Sequence, residues 1–460
     1  MVQPPAHVKT LGRRDIVLFT VSAILLLDTL AAGATIGPAA VFWWLFLGVA
    51  FFVPYALMCA ELGTAYPEQG GLYAWIRDAF GRRWASRATW AYWVNTAVWI
   101  PAIFILFAGI FAQIFAPGLG LWAQIALCIG LTWVAVAVNA ITLKVGKWIP
   151  NLGALLKLVI IASIVVGAVF YARANGMANP LTLASMTPAF DESLQYFSVI
   201  IYGMLGFELV SAGADEMMNP ARDVPASILV SGLIIIVTYT LATIAILAAL
   251  PVAEIDLVEG LVDTLRLLFG GSAAGDAFAL ALGIGALYTF FANGVTWSLG
   301  CNRAMAQAAR DGEFPAVLGR EHPDKRTPVG AAVIMGAISS AALVVYGFIA
   351  ESNAELFWSL FAFSAVIFIV PYLLLVVSFL KLRRIDPQRP RPYRFPGGPG
   401  AAVAATWLCG FLLAGALVLF AWTPGEGVEW PVAIGAIVVM AAGELIIRLT
   451  ERQRVAAPPG

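Results

Sequence analysis

Histidine is almost missing from this chain: His7, in the N-terminal tail, and His322, in a loop, are the only two in 460 residues. That scarcity removes the commonest metal ligand and proton relay, and no nucleophile–base constellation within the apolar segments marks an enzyme. Cysteine is sparse too. Cys59, Cys128, Cys301 and Cys409 all lie in apolar runs without paired spacing, so no disulfide framework, metal site or cofactor is expected. Charge is low, at 12% of residues, and it balances to zero, which argues against a nucleic-acid partner. Long polar stretches are absent as well. The widest gaps between apolar runs, 303–327 and 381–398, are loop-sized, so there is no separate soluble domain and function must sit within the apolar segments.

What fills the chain instead is hydrocarbon. Hydrophobic residues make up 61% of it, the mean hydropathy is +0.88, and apolar runs of twenty residues and more recur throughout. This is the composition of an all-α polytopic membrane protein whose solvent is the lipid bilayer. Twelve spans are expected, at 15–40, 41–65, 86–115, 119–142, 149–171, 194–214, 225–250, 273–302, 328–349, 355–380, 399–421 and 429–448. The first follows a charged tail and lacks a small-residue cleavage signal, so it reads as a retained span. Basic residues test the count independently. With the N-terminus cytoplasmic, every Lys and Arg except Arg173, Arg266 and Lys157 falls in an inside segment. The positive-inside rule then places both termini in the cytoplasm of a cell (inner) membrane protein. The outer loop near 254–276 is acidic (Glu254, Asp256, Glu259, Asp263, Asp276), either as a solvated face or as a weak attractor of cations.

Two spans carry an acid beside a run of small residues: Asp28 before Ala31, Ala32, Gly33 and Ala34, and Glu208 after Tyr202, Gly203 and Gly206. An acid at membrane depth costs about 2.5–3.5 kcal/mol on insertion scales, so it marks function by default. Paired interruptions at corresponding places in two halves point to a transporter site, with unpaired backbone groups lining a cavity. Pro38, which has no N–H, favours a break near 31–38. The alternative is that these small residues only let helices pack closely.

Other landmarks are Ala60-Glu-Leu-Gly-Thr-Ala-Tyr-Pro-Glu-Gln-Gly-Gly-Leu-Tyr-Ala-Trp-Ile-Arg-Asp-Ala-Phe-Gly81, Gly206-Phe-Glu208, Asn219-Pro-Ala-Arg-Asp-Val-Pro225, Ala309-Arg-Asp-Gly-Glu-Phe-Pro315, Pro371-Tyr372 and Arg391-Pro-Tyr-Arg-Phe-Pro-Gly-Gly398. In this order, over about 15–400, they resemble the amino acid–polyamine–organocation transporters. The relatives they most resemble are the bacterial exchangers of arginine for agmatine, putrescine for ornithine and glutamate for γ-aminobutyrate. The resemblance implies a LeuT-type 5+5 inverted repeat with broken helices 1 and 6. It divides the chain into a cytoplasmic tail (1–14), a transport core (15–380, repeats about 15–171 and 194–380), peripheral helices (399–448) and a second cytoplasmic tail (449–460). It also implies a monomer or a homodimer.

The resemblance further implies roles for single residues. The substrate site would take Asp28, Thr29, Ala32, Gly33 and Ala34 from span 1, Tyr202, Gly206 and Glu208 from span 6, Trp297 from span 8 and Ser364 from span 10. Tyr92, Trp93 and Asn95 of span 3 are further candidates. Asp28 departs from the neutral residue common in the family. An acid there pairs with an ammonium and disfavours a substrate carboxylate, or else it is a buried acid satisfied by Thr29 or Ser22. Trp297 aligns with a tryptophan that lies against the substrate cation, and Tyr202 with an aromatic gate. Glu208, shared by members of varied specificity, is expected to titrate during transport. Lys157 matches a position where some proton-coupled members place a lysine, with span 1 carbonyls and Ser298 as partners; snorkelling to the membrane face is the other reading. The expected function is a proton-coupled secondary carrier of organic amines, polyamines or cationic amino acids. A carrier of neutral amino acids or γ-aminobutyrate, with Asp28 as a proton site, is the alternative.

Overall fold

The structure of the protein, a computed structural model, describes residues 9, 11–68, 70–141, 146–188, 195–255, 260–350, 352–423 and 427–456. Lys144, Asp256 and Glu259 lie outside the described residues, as do residues 1–8 and 457–460 of the two tails.

The chain opens with two short helices, α1 (Arg13–Ile24) and α2 (Leu27–Ala34), separated by Leu25 and Leu26. A turn at 35–38 leads into α3 (Ala39–Ala65). Within α3, residues Gly48–Phe52 form a π-helical turn just ahead of Pro54, where a proline without an N–H already disturbs the ladder. Helix α4 (Leu72–Phe80) is short and amphipathic, and Gly81, at φ +85°, turns the chain into the long α5 (Arg82–Phe115). Then come α6 (Leu121–Asn139), α7 (Trp148–Asn175) and the second interrupted segment, α8 (Gln195–Gly203) followed by a 3-10 stretch at Leu209–Glu216.

Asn219 and Pro220 start α9 (Pro220–Ala249), with Asp223 in its positive first turn. Helix α10 (Gly260–Phe269) is short; α11 (Ala273–Arg310) is capped by Ser272, whose hydroxyl accepts from Gly275 N at 3.1 Å. The last four helices are α12 (Val329–Gly347), α13 (Asn353–Ile385), α14 (Gly398–Ala421) and α15 (Trp430–Ala456).

Ten helices among the described residues are long and apolar enough to cross a membrane: α3, α5, α6, α7, α9 and α11–α15. The chain is therefore an all-α multi-pass membrane protein. Helix α5 is the most buried, packed between α13 and α11, while α1 lies against α9 and α7. Helices α14 and α15 are the least buried; Trp407 and Phe411 are 74% and 75% exposed, a surface that suits lipid contact rather than water.

Three differences from the sequence reading have physical causes. The interruption inside the first span lies at Leu25–Leu26, while residues 31–34 stay helical up to the turn at 35–38; Gly33 packs closely there, since a Cβ would come within 3.2 Å of the Trp44 indole. Asp28 therefore follows the break at Leu25–Leu26 instead of preceding it. Helix α11 runs on to Arg310, because Arg303 does not enter a loop; it is buried and paired with Glu216 at 2.9 Å. Finally, α4 and α10 are helices too short to span, within what composition shows only as gaps.

Candidate substrate site at the two interruptions

Where α1 stops, the carbonyls of its last turn lose their intrahelical donors. Three consecutive carbonyls are met by side chains from three other helices. Lys157 Nζ on α7 donates to Ser22 O at 2.7 Å, Trp297 Nε1 on α11 to Ala23 O at 3.0 Å, and the Tyr239 hydroxyl on α9 to Ile24 O at 2.6 Å. The same hydroxyl accepts from Leu26 N at 2.8 Å, so one phenol holds both ends of the break. Its ring stacks on Trp44, centroids 4.2 Å apart. Backbone that hydrocarbon would not tolerate is thus satisfied inside the protein. Lys157 is 1% exposed, which rules out snorkelling.

The second break follows Gly203. Gly206 has φ +132°, a conformation that side chains avoid, and a Cβ there would lie 3.0 Å from Ile24 Cγ1 and 3.2 Å from Trp297 Cζ2. A Cβ on Gly203 would meet Thr29 Cγ2 at 2.4 Å. The two interrupted segments therefore touch through glycine. Just past the break, the buried Glu208 carboxylate accepts from three tyrosines: Tyr92 at 2.8 Å and Tyr372 at 2.7 Å on Oε1, and Tyr55 on Oε2. A carboxylate offers about four acceptor positions, and phenols from three helices fill three of them. The π-helical turn of α3 immediately precedes Tyr55, and Phe52 of that turn packs on Phe207 at 4.7 Å.

Between the breaks lies a narrow cavity with room for about one water molecule. Leu26 and Leu205 come from the two interruptions, Tyr202 from α8, Asn95 and Trp99 from α5, Trp297 from α11 and Phe368 from α13; none is more than 5% exposed. Trp297 stands edge-on to Phe368 at 5.3 Å and to Trp99 at 5.9 Å, and Tyr202 lies 4.9 Å from Phe368. Aromatic walls of this kind attract a desolvated cation. Two polar atoms of lining residues, Asn95 Oδ1 and Trp99 Nε1, are buried without a hydrogen-bond partner among the described residues. Each such orphan costs about 1–3 kcal/mol, a penalty that a bound ligand can relieve.

The other expected site residues are distributed as follows. The side chains of Asp28 and Ala32 lie outside the described residues; their backbone belongs to α2, with Asp28 in its first turn. Thr29 is buried against Gly203 and its hydroxyl has no partner among the described residues, while Gly33, in the last turn of α2, lies against Trp44 and Ala34 is buried. The Ser364 hydroxyl donates to Phe361 O of its own helix at 2.8 Å, and Ser364 does not line the cavity. Glu208 is not among the lining residues either: Tyr92 and Tyr372, which bind its carboxylate, pack against Phe368 at 6.2 and 4.7 Å. The Ser298 hydroxyl donates to Val295 O and accepts from Asn139 Nδ2 at 2.8 Å, in a buried chain that runs on through Asn302 to Trp93. Tyr55, Trp99, Asn139 and Tyr239 went unnoticed in the sequence. Only Trp99 left a usable signal there, one turn beyond Asn95 on the same face of α5.

The model of the family described as amino acid permease matches residues 11–442, nearly the whole chain. The chain belongs to the amino acid permease family. Among curated relatives, it is 32% identical to the "probable agmatine/putrescine antiporter AguD" of Lactococcus lactis, over 96% of this chain and 95% of that protein. It is 32% identical to an uncharacterized transporter of Legionella pneumophila, over 85% and 84% of the two chains, and 25% identical to the branched-chain amino acid permease BcaP of Bacillus subtilis, over 88% and 87%.

The landmarks 60–81, 309–315 and 391–398 of this permease gather away from the cavity, where α3 ends. Glu61, 1% exposed, accepts from Arg383 Nε at 2.8 Å and from Phe395 N at 2.7 Å, and pairs with Arg391 at 3.2 Å. Arg391 also donates to the carbonyls of Leu382 and Asp386. Beside them the Tyr66 hydroxyl donates to Asp386 at 3.1 Å; burial and that bond push it up to about 12, so it stays a donor at any working pH. Arg77 pairs with Glu68, Asp78 and Asp311, and the buried Glu313 takes Arg82 and the Ser86 hydroxyl. These three motifs are thus clasps between helix ends.

Proposed function

We propose that this permease is a proton-coupled secondary carrier that moves small organic amines or cationic amino acids across the cell membrane by alternating access. In this reading the ten long helices and the two interrupted segments make twelve spans, arranged as inverted repeats about 15–171 and 194–380 with both termini cytoplasmic. Helices α14 and α15 are peripheral. The observation that carries it is the aromatic cavity between the facing breaks, where Trp297 both caps Ala23 O and walls the space. Asp28, an acid in the first turn of α2, adds charge that suits an ammonium. The name of the Lactococcus relative supports the amine class. Lys157 occupies one of the open carbonyls with a titratable cation, and supports coupling to protons.

A second reading, a carrier of neutral amino acids with Asp28 as a proton site, is favoured by the name of the Bacillus relative and by Leu26, Leu205 and Phe368 in the lining. Uptake into proteoliposomes under an inward proton gradient separates the two. Amines should accumulate and matched neutral amino acids should not; the reverse result supports the second reading.

A further inference from the structure

Asn95 and Trp99 lie one turn apart on α5, four residues and about 6 Å along the axis. Both are 2% exposed and both line the cavity. Their orphaned atoms differ in kind: Asn95 Oδ1 can only accept, and an indole N–H can only donate. An alkyl ammonium satisfies the first and cannot satisfy the second, because it has no lone pair to offer. A plain diamine or a guanidinium would leave Trp99 Nε1 as it is, buried without a partner. The other indole of the cavity is already committed, since Trp297 Nε1 donates to Ala23 O.

We propose that Asn95 and Trp99 form a donor–acceptor pair that selects amines bearing an oxygen, with Asn95 Oδ1 taking the ammonium and Trp99 Nε1 donating to a hydroxyl, ether, carbonyl or carboxylate oxygen of the same molecule. The preference rests on the cavity being the substrate site, as argued above. It divides the amine class: amino alcohols, amino amides and amino acids with a second cationic group are accepted, while unsubstituted diamines are discriminated against, so on this proposal the chain parts from the Lactococcus relative over the agmatine and putrescine of its name. Buried groups built to hydrogen-bond a substrate oxygen reject analogues that lack it far more strongly than an apolar pocket rejects an extra methylene.

The test uses the full-length purified protein and an isosteric pair, 4-methoxybutylamine and hexylamine, which differ by one oxygen in place of one methylene. Calorimetry should show the ether amine binding at least tenfold tighter to the wild type. In Trp99→Phe the ratio of the two affinities should fall to about one, whatever affinity both ligands lose together with the smaller ring. Asn95→Leu should weaken both together. Equal binding of the pair to the wild type overturns the proposal without any variant, and so does a preference that survives in Trp99→Phe. If neither amine binds while a neutral amino acid does, the amine reading of the cavity falls with it, an outcome distinct from equal binding.

Discussion

The Lys157 ammonium stands 2.7 Å from the carbonyl oxygen of Ser22, joining the middle of α7 to the last turn before the first interruption. Either protonation state of the amine can donate to that carbonyl, and the charged one holds it more strongly. In the proton-coupled reading proposed above, its proton and the position of α1 are linked, and linkage works in both directions.

Lys157→Ala should abolish uptake driven by an inward proton gradient and still bind substrate, because Lys157 does not line the cavity. Proteoliposome uptake and calorimetry on the same preparation check it. An alanine variant that still concentrates substrate in response to the gradient would make Lys157 structural and move the proton to Glu208 or Asp28.

Trp297 has two separable parts. Its N–H holds Ala23 O and its ring walls the cavity, so Trp297→Phe should lower thermal stability by about 1–3 kcal/mol through the carbonyl left open. It should keep part of the amine affinity, since phenylalanine retains some attraction for a cation. Trp297→Leu loses both and should bind amines more weakly than the phenylalanine variant. Equal affinities in the two variants would show that the ring only fills volume.

Asp28 sits in the first turn of α2, where free N–H groups and the helix dipole favour an anion. Asp28→Asn should stay folded and lose at least tenfold in amine affinity, read as a smaller ligand-induced thermal shift. An unchanged shift would remove Asp28 from the site.

The membrane class and the second break were legible because hydropathy and glycine carry them locally. Gly203 and Gly206 are required by their close neighbours, and both stood out in the sequence. The first break was not legible, because Leu25 and Leu26 look like any helical pair. It exists through Lys157, Trp297 and Tyr239, which lie 135 or more residues from the carbonyls they hold and only meet in the fold. Small residues drew attention to 31–34, where Gly33 packs against Trp44. The partners of Glu208 were hidden for the same reason: Tyr55, Tyr92 and Tyr372 come from three separate helices.

Glu208→Gln keeps one acceptor oxygen and adds two donors that its tyrosine neighbours accept less well. The variant should fold with stability lowered by about 1–3 kcal/mol, whereas Glu208→Ala leaves three buried phenols unsatisfied and should cost more. Thermal unfolding in detergent ranks them, and equal losses would mean that the tyrosine bonds contribute little.

The clasp at Glu61 gives the last expectation. Its carboxylate is shared between Arg383, Arg391 and the Phe395 N–H, so removing one cation leaves a charge that is still buried and still partly paired. Arg391 also holds the carbonyls of Leu382 and Asp386, so its loss frees the chain after α13 as well as the carboxylate. Breaking a buried pair from one side typically costs about 3–5 kcal/mol. Glu61→Ala strands both arginines and should therefore destabilise more than Arg391→Ala, and the double variant should cost less than the sum of the two. A double-mutant cycle on thermal unfolding measures that difference. Strict additivity would mean that Glu61 and Arg391 act independently.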